Sequence, residues 1–104
     1  MRWLTEDYIK KNPKIYKELY SMLESNNNKN FLKSYELFTH YNDDDDMIKK
    51  IKVNTLITTG EHDIRSTSAM ARNLNKIIKH SRFVEIKKGK HLCSIECALS
   101  LIHI

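Results

Sequence analysis

At 104 residues the chain has room for one small domain and little more, with a correspondingly modest core. Apolar residues make up 40% of it, and no apolar run approaches the roughly 20 residues of a membrane span, so no membrane partner is expected. The net charge of +5 alone does not argue for nucleic acid: the lysines are scattered among acidic residues, and neither an aromatic-basic RNA motif nor a Cys/His finger is present.

The opening Arg2-Trp3-Leu4-Thr5-Glu6-Asp7 lacks the layout of a signal peptide, and a cytoplasmic setting is the default expectation. The first part of the chain reads as helices. Thr5 is a suitable N-cap, with Glu6 and Asp7 in the first turn where the helix dipole favours them. Asn12-Pro13 reads as a cap followed by proline at the first helical position, and Ile15, Leu19, Met22 and Leu23 continue a helical stripe. Asn26-Asn27-Asn28 interrupts it. A third helix is expected from about Asn30, with Phe31, Tyr35 and Phe38 on one face as core residues.

Asp43-Asp44-Asp45-Asp46 lacks the alternation, central glycine and terminal glutamate of a calcium loop. It reads as an exposed loop, with Asp46 capping a short helix over residues 47–51. From Val53 the character changes. Val53-Asn54-Thr55-Leu56-Ile57-Thr58-Thr59 carries no charge and many β-branched residues, as in an interior parallel strand that Gly60 ends. Ser66 or Thr67 can cap the next helix, whose apolar stripe is Met70, Leu74, Ile77 and Ile78. Arg82-Phe83-Val84-Glu85-Ile86 is a second strand, Lys87-Lys88-Gly89-Lys90 a loop, and a last helix begins just past His91. Strand, helix and strand at these lengths form a βαβ unit with parallel strands.

Cys93 and Cys97 lie one helical turn apart. With His91 they offer three ligands where a closed zinc site takes four, and the plainer reading is a pair of reduced thiols; no metal is expected.

In open parallel sheets functional groups gather at the carboxyl ends of strands. Asp63 follows the first strand and His91 the second, each by a short loop on the same sheet edge. Adjacent strands lie roughly 5 Å apart, so the two side chains can meet. A buried carboxylate bonded to one imidazole nitrogen fixes the tautomer and leaves the other nitrogen free to accept a proton from a nucleophile. Two other readings stand beside this one: His62 as the base, or Asp63 as a simple cap of the following helix. His40 and His80 read as surface residues. Trp3 is a candidate for lining a substrate pocket and equally for core packing.

The sequence resembles the α/β-hydrolases at these residues. Thr58-Thr59-Gly60-Glu61-His62-Asp63 is similar to their strand-then-Gly-x-x-Asp segment, and Gly89-Lys90-His91-Leu92-Cys93-Ser94-Ile95-Glu96 to their terminal Gly-x-His segment. The family's chain order places the acid before the histidine. Arg2-Trp3-Leu4-Thr5 and the helices after it resemble the cap region of 3-oxoadipate enol-lactonase-like members. The resemblance extends to about Ala98. It implies an α/β chain forming the C-terminal part of an α/β-hydrolase fold, with residues 1–51 as a helical cap or lid and residues 52–98 as a βαβα part of the core. It further implies Asp63 and His91 as catalytic acid and base, a small-molecule ester or enol-lactone as substrate, and no metal or organic cofactor.

The sequence departs from the family's pattern at Asn54 and near Ser68, where members often carry proline. A larger departure concerns the nucleophile. The family's serine sits in a Gly-x-Ser-x-Gly elbow, and the only glycines here are Gly60 and Gly89. Ser66, Ser68 and Ser94 read as capping and first-turn residues. The chain is therefore expected to be a truncated hydrolase lacking nucleophile and oxyanion hole, inactive as it stands. Residues 99–104 are expected to be a non-native tail, since Leu99-Ser100-Leu101-Ile102-His103-Ile104 also reads as one frame of a transposon-type sequencing adapter. The alternatives are a non-catalytic interaction module or a relative with different chemistry, such as a dehalogenase, C–C hydrolase or perhydrolase.

Overall fold

The computed structural model describes residues 2–42 and 44–104, so Met1 and Asp43 lie outside the described residues. Helices α1 (Glu6–Lys11), α2 (Pro13–Glu24) and α3 (Asn28–His40) come first, then the short α4 (Asp45–Ile48). Each start is set by local chemistry. The Thr5 hydroxyl accepts from the Tyr8 N–H at 3.3 Å, with Glu6 and Asp7 in the first turn and Lys10 and Lys11 in the last. Asn12 closes α1 and opens α2: its Nδ2 donates to the Tyr8 carbonyl at 3.0 Å, and Pro13 takes the position whose N–H would be unpartnered. Asn27 caps α3 by accepting from the amides of Lys29 and Asn30, so that helix begins two residues earlier than its apolar stripe suggests.

The acidic run behaves differently from the sequence expectation. Asp44, not Asp46, is the N-cap of α4, accepting from the Asp46 N–H at 2.9 Å. Asp45 and Asp46 are inside the helix, where their charges favour its amino end; the expectation for Asp43 falls outside the described residues.

Beyond residue 52 the chain builds β1 (Thr55–Gly60), α5 (Ser68–Ile77) and β2 (Ser81–Ile86). The strands are parallel neighbours, in register from Thr55 opposite Ser81 to Gly60 opposite Ile86. The helix packs on both strands. Thr67, rather than Ser66, caps α5 by accepting from the Met70 N–H. Ala71, Ile78 and Ile86 are buried here, while Met70, expected in the stripe, is 57% exposed. Burying a side chain such as Ile86 is worth about 1.5–3 kcal/mol, so this unit holds much of the available stabilisation.

The last helix divides at Cys97 into α6 (Cys93–Glu96) and α7 (Ala98–Ile102), because Cys97 has a non-helical backbone. No residue of α2 or α3 is buried, so Phe31, Tyr35 and Phe38 do not pack into a core. Phe31 and Tyr35 instead stack on each other with ring centroids 6.0 Å apart. Among the described residues no helix is long and apolar enough to cross a membrane.

Candidate active site

The loops after β1 and β2 are locked together through their backbones. The Glu61 N–H donates to the Ile86 carbonyl at 2.9 Å, and the His62 N–H to the Gly89 carbonyl at 2.8 Å. This approach is why residue 60 has no side chain: a Cβ there would lie 2.5 Å from the Gly89 oxygen and 2.6 Å from its carbonyl carbon. Gly89 is constrained on its other side, where a Cβ would come within 2.8 Å of the Cβ of Cys93. Lys88, in the left-handed region at φ 61°, turns the second loop, and its N–H donates to Glu61 at 2.9 Å.

This scaffold brings Asp63 and His91 together. The Nδ1 of His91 lies 2.8 Å from the Oδ2 of Asp63. The other carboxylate oxygen, Oδ1, accepts from the amides of Arg65 at 2.8 Å and Ser66 at 3.0 Å. Asp63 therefore does two jobs: one oxygen shapes the turn ahead of α5, and the other faces the imidazole. Its side chain is 5% exposed against 44% for His91. Burial works to raise the carboxyl's pKa. The Arg65 amide, the His91 ring and the Ser66 amide outweigh it, and the group sits below its ordinary value. It is therefore ionised at neutral pH. An ionised carboxylate only accepts, so the proton between the two groups belongs to Nδ1, and the Nε2 of a neutral His91 is left as an acceptor.

Trp3 stands over this pair, its ring centroid 6.4 Å from that of His91. A cleft of about 510 Å³ opens there, lined by Asp63 and His91 together with Trp3, Tyr35, Phe38, Ile64 and two arginines, Arg2 and Arg65. Tyr35 and Phe38, expected as core, are thus cleft residues. Their helical spacing was the available signal, and it does not distinguish a wall from a core.

His62 and His80 are exposed, and the ring of His40 bonds to the Glu36 carbonyl of its own helix. The Ser68 hydroxyl donates to Glu85 at 2.5 Å, and the Ser66 carbonyl accepts from the buried Thr59 hydroxyl. Cys93 and Cys97 are free and half-buried, and burial pushes both thiols up, away from the reactive thiolate. Among the described residues no group of three or more His, Cys, Asp or Glu is placed to hold a metal ion. Glu96, noticed in the sequence only as part of a motif, accepts from the amides of Thr5 at 2.8 Å and Lys90 at 3.0 Å.

No family model matches the sequence, and no curated protein matches it. Among solved structures, the chain is similar to the crystal structure of the enol-lactonase from Burkholderia xenovorans LB400, with a TM-score of 0.91 and 26% identity. The match covers 98% of this chain and 38% of that one. The chain spans well under half the length of that enzyme, and its architecture is α/β, corresponding to part of an α/β-hydrolase fold.

Proposed function

We propose that this chain supplies the acid–base half of an acyl-transfer site, in which Asp63 orients His91 and His91 is the general base. On this reading the substrate is a small ester or enol-lactone. The serine nucleophile and the oxyanion donors come from a Gly-x-Ser-x-Gly elbow and a loop that this sequence does not contain. Residues 1–51 then act as the lid and residues 52–98 as the matching part of the core. The observation that carries the proposal is the 2.8 Å pairing of His91 Nδ1 with a buried carboxylate at the carboxyl ends of two adjacent parallel strands. The likeness to an enol-lactonase gives it independent support.

The chemistry follows from the pair. Nε2 of His91 takes the serine proton as the hydroxyl oxygen bonds to the substrate carbonyl carbon. The resulting imidazolium, stabilised by Asp63, returns that proton to the leaving alkoxide or enolate oxygen as the acyl–oxygen bond breaks. A water activated by the same Nε2 then releases the acid and frees the serine. No step calls for a metal or organic cofactor. Trp3, Tyr35 and Phe38 offer an apolar wall for the acyl part.

The test is a chimera in which this chain replaces the segment of the Burkholderia enzyme on which it superposes. It is expected to hydrolyse p-nitrophenyl acetate and an enol-lactone. Asp63→Asn should lower kcat by about 10⁴ with the fold intact, because the imidazole is then held in the wrong tautomer. His91→Ala should cost at least as much, and His62→Ala far less. A folded chimera whose turnover ignores Asp63 and His91 would contradict the proposal and favour a non-catalytic module or a different reaction.

A further inference from the structure

We infer that Glu96 is a positioning residue that ties the Trp3 wall of the cleft to the loop bearing His91, an inference resting on the acid–base reading given above. Three contacts converge on its carboxylate. Oε1 accepts from the Thr5 N–H at 2.8 Å and from the Thr5 hydroxyl. Oε2 accepts from the Lys90 N–H at 3.0 Å, one residue before His91. Between these points the Leu92 N–H donates to the Trp3 carbonyl at 3.0 Å. Leu4, the residue between Trp3 and Thr5, is fully buried at 0% exposure.

Residues 3–5 thus form a strap across the His91 loop, held by an apolar plug in the middle and by Glu96 at one end. All the partners of Glu96 are donors, and a carboxylate with two acceptor oxygens satisfies both sides at once. A glutamine keeps one acceptor oxygen but turns its NH₂ toward a donor on the other side. A shift of the strap would carry the Trp3 ring away from His91, altering the wall and the base together. Misplacing a catalytic group by about 1 Å can cost on the order of 10²-fold in rate.

Trp3 is the only tryptophan in the chain, so its fluorescence reports on the strap alone. In the full chain at neutral pH, Glu96→Gln should keep the far-ultraviolet helix signal yet shift the Trp3 emission maximum to the red and raise its quenching by acrylamide, and Glu96→Ala should do so more strongly. Thr67→Ala, which removes the cap of α5 away from the strap, is the control for a general loss of stability and should leave Trp3 emission unchanged. If Glu96→Ala does not fold, folded Glu96→Gln decides alone. Unchanged emission and quenching in the folded Glu96 variants, or an equal change in Thr67→Ala, overturns the inference. The readout needs no turnover, so it can fail while the chimera succeeds, and the reverse.

Discussion

The pairing of Asp63 with His91 depends on a residue with no side chain. Gly60 lets the two loops touch backbone to backbone, and the 2.8 Å bond from the His62 N–H to the Gly89 carbonyl follows from that contact. Gly60→Ala would push a methyl group to 2.5 Å from the Gly89 oxygen, against main chain that cannot swing aside as a side chain could. It is expected to destabilise the chain by about 3 kcal/mol, the upper part of the usual overpacking range. Denaturant unfolding of the variant beside the unaltered chain measures this, and equal midpoints would show that the loops are not in contact. Asp63 illustrates a second point: its turn-forming and imidazole-facing roles are compatible because they use different oxygens. Of the two readings the sequence offered for this residue, the helix cap is not realised, since Thr67 caps α5 and the amides that Asp63 accepts from, those of Arg65 and Ser66, belong to the turn before it.

Among the elements, β1 is decisive. It pairs with β2 on one side only among the described residues. The Thr55 N–H donates to His80 and the Glu61 N–H to Ile86, so the odd-numbered amides of the strand face β2 and those of Leu56 and Thr58 face the open edge. β2 carries Arg82 and Glu85, charges that suit a sheet edge, whereas β1 has none. Hydrogen exchange on the monomeric chain should find Leu56 and Thr58 much faster than Ile57 and Thr59. Equal protection of all four would mean that the edge is covered. The strands, the helix between them and the positions of Asp63 and His91 were legible in the sequence, because uncharged β-branched runs and the short loops after them leave little freedom. Other features were not. Four adjacent aspartates look alike until the chain direction selects Asp44 as the cap. An aromatic stripe at helical spacing looks the same whether it meets a core or walls a cleft, as Tyr35 and Phe38 do. Glu96 could not be recognised because its partner Thr5 is 91 positions away in the chain.

For the whole molecule, apolar burial is concentrated around the loops that carry Asp63 and His91. The buried apolar residues Leu4, Ala71, Ile78 and Ile86 lie in the strap and the βαβ unit, whereas α2 and α3 bury none. The Asp63–His91 pair thus sits beside the most buried part of a chain whose match covers 38% of an enol-lactonase. The Asp63–His91 pair is formed within the chain itself. Nitrogen-15 NMR of the His91 side chain in the isolated chain, at a pH where the ring is neutral, tests it most directly. The expected result is a proton on Nδ1 and a bare Nε2, with the tautomer reversed in Asp63→Asn as the new amide donates to Nδ1. A neutral ring protonated on Nε2 in the unaltered chain, unchanged by Asp63→Asn, would contradict it.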